Sequence, residues 1–221
     1  MSASSISVLL VDDHAIVREG YRALLSRQSG LQVIAESGDG PTAYELFKSC
    51  HPDVVITDIS LPGSSGLELI CRIRQRSAGA RILVFSMHQN PGVASAAIRA
   101  GALGYVSKSS PPEVLLRAIG AVQLGRYFLS PDMAQAVAIE KLRGDQMALE
   151  SLTVREFEIL QMLLDGQSVD GIASSLNISP KTVCNCHYLI KRKLGVSSDI
   201  ELVRLAIKLN VMNLLELAPD P

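Results

Sequence analysis

The stretch DVVITDISLPGSSGLELI, residues Asp53–Ile70, holds a strand, a turn and the start of a helix. Val54–Thr57 is a short apolar run without polar alternation, the pattern of a strand covered on both faces. It stops at a carboxylate, Asp58, and a Pro/Gly/Ser turn follows. From Leu67 to Ile73 apolar residues then recur at helical spacing. The same alternation runs on either side. Ile6–Val11, Gln32–Ala35, Arg81–Phe85 and Gly104–Val106 read as further strands. Ile16–Leu25, Pro41–Phe47, Gly92–Arg99 and Pro112–Gln123 read as the helices between them. Five apolar strands joined by helices predict a doubly wound, five-stranded parallel sheet, an α/β domain over residues 1–128.

The remainder is different. Residues 129–150 lose the strand pattern and read as a partly helical linker with a break at "RGDQ"; from 151 to 221 the periodicity is helical only, ending in an apolar C-terminal tail. Thr153 with Glu156 forms a capping box, Ser179 caps a helix opening on Pro180, and Ser198 with Glu201 repeats the box. A fourth, short helix fits Val169–Leu176, between Gly166 and the turn "NIS". These features predict an all-α, four-helix unit with a helix-turn-helix, whose second helix enters a major groove. Leu202, Leu205, Leu209 and Met212 recur at helical spacing, with Leu214 and Leu215 beyond, and are expected to divide between core and a dimer seam.

Composition bounds the function. With 221 residues, 48% hydrophobic, 19% charged and a net charge of -1, the chain has material for two ordinary domains and is neither disordered nor globally basic. Any nucleic-acid surface must be local. No apolar run approaches the roughly 18 residues of a membrane span, and no signal-peptide pattern opens the chain. Cys50, Cys71, Cys184 and Cys186 lack a repeated C-x-x-C spacing, which suits a reducing compartment. The expectation is a cytoplasmic protein with no membrane association.

Reactive groups of an open parallel sheet collect beyond the carboxyl ends of its strands. Here those ends are Asp12-Asp13, Asp58, Ser86 and Ser107-Lys108. Any one of these carboxylates could be a solvated strand-end residue, but agreement among the separate strand ends argues for a pocket. Clustered carboxylates repel unless a cation shares the site, which points to a hard divalent ion, Mg2+. Lys108 and Ser86 would complete a site for a tetrahedral anion on one carboxylate. His14 and His88 fall at the rim, where surface roles are expected, and Met87 is expected to narrow access.

Residues 6–125 resemble response-regulator receiver domains through "VLLVDDH", "DVVITDISLPGSSGLELI", "ILVFSMH" and "GALGYVSKS". The resemblance implies that Asp58 is the phosphoacceptor, and that Asp12, Asp13, Asp58 and the main-chain carbonyl of Ser60 hold Mg2+. It further implies that Ser86 is the switch hydroxyl, Lys108 pairs with the phosphoryl group, and the Tyr105 rotamer follows Ser86. Residues 151–211 resemble the helix-turn-helix output domain of the NarL/FixJ (LuxR-type) family through "LTVREFEILQMLLDGQS", "IASSLNISPKTV", "IKRKLGV" and "ELVRLAIKLNV". Together they imply a transcriptional response regulator of a two-component system, with a sensor histidine kinase, promoter DNA and a homodimer formed on activation as partners. It would be no turnover enzyme: an aspartyl-phosphate phosphatase would want a second acid where Ser60 stands. The alternative is an output domain that has exchanged DNA for a protein partner, since Val169, Asp170, Gly171, Cys184, Cys186, Leu189 and Asp199 depart from the family pattern.

At about 100° per residue, Val183, Cys186, Ile190 and Leu194 share one stripe of the last stretch, while Lys181, Cys184, Asn185, Tyr188, Lys191 and Arg192 lie opposite. Cys184 and Cys186 point about 200° apart, so one ion cannot bind both. Between Ser179 and Asn210 six basic residues face two acidic ones, a local basic patch on an otherwise acidic chain. Lys181, Lys191 and Arg192 are the expected phosphate contacts, Asn185 and Tyr188 the expected readers of bases, and Thr182 a further DNA-facing residue.

Overall fold

The computed structural model describes residues 5–62, 65–143, 149 and 151–209. The N-terminal unit runs β1 (Ile6–Val11), α1 (Ala15–Ser26), β2 (Leu31–Ser37), α2 (Gly40–Cys50), β3 (Val54–Thr57) and α3 (Gly66–Arg76). It continues through β4 (Ile82–Ser86), α4 (Pro91–Ala100), β5 (Gly104–Ser107), α5 (Pro112–Gln123), β6 (Phe128–Leu129) and α6 (Pro131–Arg143). The strands pair in the order β2-β1-β3-β4-β5-β6, all parallel.

Alternate residues of the central strands feed two cores. Leu9, Val11, Val55, Ile82 and Val84 face α2, α3 and α4. Val8, Leu10, Val54, Ile56, Leu83 and Phe85 face α1 and α5. Because both faces are covered, β3, β4 and β5 are buried along their whole length, whereas edge strand β2 alternates and reaches further than its apolar letters suggested.

A sixth strand adds to the expected five. Two residues are too few to show a period, but Gly104 lets them approach β5: a Cβ there would stand 3.1 Å from the carbonyl oxygen of Phe128. Within the stretch expected as linker, α6 packs on α4 and buries Met133. The break expected at "RGDQ" has Gly144, Asp145 and Gln146 outside the described residues.

The C-terminal unit is α7 (Val154–Leu164), α8 (Val169–Ser175), α9 (Pro180–Leu194) and α10 (Asp199–Lys208). Thr153 and Glu156 form the capping box reciprocally, and Ser179 accepts from the Thr182 amide at 3.1 Å. The second box closes differently. Ser198 accepts from the Glu201 amide, but the Glu201 carboxylate accepts from the amide and hydroxyl of Ser197, one residue earlier than the spacing predicted. Leu202 and Leu209 are buried and Leu205 packs beside them; Met212, Leu214 and Leu215 lie outside the described residues.

The two units meet through α7, which lies against α3 and α4. A Cβ at Gly92 would come within 3.5 Å of Leu149 and 3.8 Å of Phe157. Arg155 spans the junction. One terminal nitrogen donates to Glu68 at 3.2 Å and to Glu158 at 2.8 Å, and the other donates to the carbonyl of Leu176, at the helix-turn-helix turn, at 2.9 Å. Glu158 is buried, and its second carboxylate oxygen has no hydrogen-bond partner among the described residues.

Candidate functional site

At the carboxyl edge of the sheet, β1 delivers Asp12 and Asp13, β3 delivers Asp58, β4 ends in Ser86 and β5 leads to Lys108. Asp12, Asp58 and Ser86 are buried. The Lys108 ammonium lies 2.5 Å from one carboxylate oxygen of Asp12 and 2.5 Å from one of Asp58. Burial opposes its charge, but hydrogen bonds and Coulomb attraction from both aspartates together raise the Lys108 pKa above its usual value. The other Asp58 oxygen accepts from the Ile59 amide at 2.5 Å, with the Ser60 amide at 3.4 Å. Behind it, α3 begins so close that a Cβ at Gly66 would stand 1.9 Å from the Asp58 carbonyl oxygen.

The expected switch residues are stacked beside this pair. Tyr105 is fully buried and donates its hydroxyl to the carbonyl of His88 at 2.8 Å; burial pushes its phenol pKa well up, so it remains a donor. The Ser86 hydroxyl accepts from the His88 amide at 3.4 Å.

His88 is therefore more than a surface residue. Its Nε2 lies 3.0 Å from the Ser60 hydroxyl, so it bridges the loops after β3 and β4 at the pocket mouth. His14 is likewise tied in: its Nδ1 is 2.8 Å from Asp13, and its amide donates to Asp12 at 2.9 Å. The ligand atoms of Asp12, Asp13 and His14 lie within 4.8 Å of one another. With Asp58 at the same edge, the donor set is predominantly oxygen and buried on one side, which fits a hard divalent cation.

In the C-terminal unit α9 presents the predicted faces. Val183 and Ile190 are fully buried, Cys186 and Leu194 pack beside them, and Lys181, Thr182, Cys184, Asn185 and Arg192 are exposed, with Tyr188 at 62%. Burial, with a smaller contribution from Glu156, raises the Cys186 thiol pKa, as expected of a thiol used for packing. Lys191 differs from Lys181 and Arg192: it is paired with Asp199 at 2.9 Å.

This division makes an expected contrast. Cys184→Lys should tighten duplex binding and steepen its salt dependence by up to about one released counterion, while Cys186→Ala should cost about 1 kcal/mol of stability through a small cavity. Salt titrations and urea unfolding measure the two. An unchanged slope for Cys184→Lys, with binding lost but stability kept in Cys186→Ala, would mean that α9 is rotated relative to the DNA.

A doubly wound sheet with a carboxylate–ammonium pocket, joined to a helix-turn-helix, defines a regulatory domain coupled to a nucleic-acid reader. Residues 8–120 match the response regulator receiver domain family, and residues 150–206 match the bacterial regulatory proteins of the luxR family. Response regulator UvrY of Escherichia coli K12 is 36% identical over 210 residues, covering 94% of this chain and 96% of that one. A LuxR-family two-component response regulator from Aurantimonas is 49% identical with a TM-score of 0.61, over 63% of this chain and 99% of its own. RcsB of Salmonella enterica serovar Typhimurium, solved on the promoter P1flhDC with the phosphomimetic BeF3-, is 29% identical with a TM-score of 0.72, over 91% and 98%. The chain belongs to the DNA-binding response regulators of two-component systems, with a receiver domain followed by a luxR-family helix-turn-helix domain. No helix among the described residues is long and apolar enough to cross a membrane.

Proposed function

We propose that a sensor histidine kinase phosphorylates this regulator on Asp58 in the cytoplasm, and that the modification drives homodimerisation and promoter binding. The observation that carries the reading is the Lys108 ammonium held between Asp12 and Asp58. In the transfer the phosphorus–nitrogen bond of a phosphohistidine breaks as a phosphorus–oxygen bond forms to Asp58. Lys108 then exchanges a carboxylate for phosphoryl oxygens at the same place. Asp12, Asp13, Asp58 and the carbonyl of Ser60 would hold Mg2+, which when bound neutralises phosphoryl charge. Ser86 answers the new anion, and Tyr105, coupled to the same loop through the His88 carbonyl, follows it. The chemistry modifies the protein itself and turns over no substrate.

The kinase reading is supported by an apolar groove beside Lys108, formed by Ile16, Val17, Gly20, Tyr21, Leu24 and Met87, with Ile16 87% exposed. The working domain division is a receiver at 1–128, a linker at 129–150 and an output domain at 151–221. On DNA, Lys181, Lys191 and Arg192 would lie on phosphates, with Thr182, Asn185 and Tyr188 turned to the groove.

Lys108→Ala tests the pocket. It leaves the carboxylates in place but removes the cation facing the phosphoryl group, so labelling by acetyl phosphate with Mg2+ should slow and the phosphorylation-dependent dimer should be lost. Light scattering before and after labelling reports both states; a normal phosphorylation-dependent dimer in Lys108→Ala would contradict the role.

A further inference from the structure

Of the three cations of α9 placed on phosphates, one is already occupied. Lys181 and Arg192 are exposed and make no ion pair among the described residues. The Lys191 side chain is only 23% exposed, and its ammonium lies 2.9 Å from a carboxylate oxygen of Asp199. The same oxygen is 3.0 Å from Nε2 of His187, whose side chain is 21% exposed. Asp199, at 67%, is the partner that faces solvent.

The carboxylate is anionic at neutral pH: the hydrogen bond from Lys191, aided by charge attraction from His187 and Lys191, holds its pKa below the usual carboxylate range. An acid in the first turn of α10 has an ordinary helix-dipole rationale, and an exposed ion pair contributes little to stability. Neither requires the side chain to reach back to two cationic positions of α9, and Ser198 already caps α10.

We propose that Asp199 is an intramolecular stand-in for a DNA phosphate, holding Lys191 and His187 so that this corner of the interface makes no phosphate contact while the pair is closed. The proposal rests on the reading of α9 as the DNA-facing helix. A phosphate approaching Lys191 must first displace or be repelled by the carboxylate. Sequence-independent attraction is thereby lowered while Asn185 and Tyr188 are untouched, so Asp199 sets the ratio of specific to non-specific binding.

The test is the salt dependence of binding of the full-length protein to a duplex of mixed sequence. Asp199→Asn should steepen the slope of log K against log [salt] by about 0.9, equivalent to about a 3-fold greater loss of affinity between 50 and 200 mM salt. The gain should be abolished when Asp199→Asn is combined with Lys191→Ala. Arg192→Ala reports on the interface itself and should flatten the slope. If Arg192→Ala flattens it while Asp199→Asn does nothing, or if the gain of Asp199→Asn survives Lys191→Ala, the masking is wrong and the interface stands. If none of the variants changes the slope, α9 does not face DNA and the proposal falls with that reading.

Discussion

Asp58→Asn is expected to abolish phosphoryl incorporation from acetyl phosphate with Mg2+, and with it every phosphorylation-dependent response. The amide is not a competent nucleophile. No neighbour can take over: Asp12 is committed to Lys108 and the His14 amide, and Asp13 is turned to His14. The loss should be complete, because the remaining carboxylates are required as anions by the cation that shares the pocket. Phosphate-affinity electrophoresis of wild type and variant checks it. Full incorporation in Asp58→Asn would move the acceptor elsewhere.

Gly66→Ala should be nearly as damaging, although the substitution adds one methyl group and touches no reacting atom. The new Cβ would stand 1.9 Å from the Asp58 carbonyl oxygen and 2.8 Å from the Ile59 Cα, and both obstacles are backbone. The start of α3 or the end of β3 must move. A shift of that kind in a packed core costs about 3 kcal/mol. Any displacement of β3 also carries the acceptor away from Lys108, where about 1 Å costs on the order of 100-fold in rate. Urea unfolding and the rate of acetyl phosphate labelling should therefore fail together in this variant. Wild-type values for both would show that α3 can recede without cost.

The pocket was legible because its signal is local: a short apolar run that ends in a polar residue needs no knowledge of the partner strands to locate Asp12, Asp58, Ser86 or Lys108. The faces of α9 were legible for a similar reason, since helical spacing alone separates Val183 and Ile190 from Asn185 and Tyr188. What escaped depends on contacts between segments distant in the chain. His88 reads as a rim residue until the loop after β3 brings Ser60 to its ring. The two-residue β6 has no period and exists only because Gly104 leaves room for it. Glu201 sits at capping-box spacing, yet its carboxylate finds a nearer pair of donors on Ser197. Lys191 looked like any other cation of the patch, and only the turn into α10 sets Asp199 against it.

The junction built on α7 and Arg155 bears on how such chains can be recombined. A receiver grafted from another regulator onto this output domain would have to bring a carboxylate at position 68 to meet Arg155. Without it, Arg155 is left with the buried Glu158 and the Leu176 carbonyl alone. A receiver without that carboxylate would leave the seam one charge-assisted hydrogen bond short, so the two domains are matched to each other at this point.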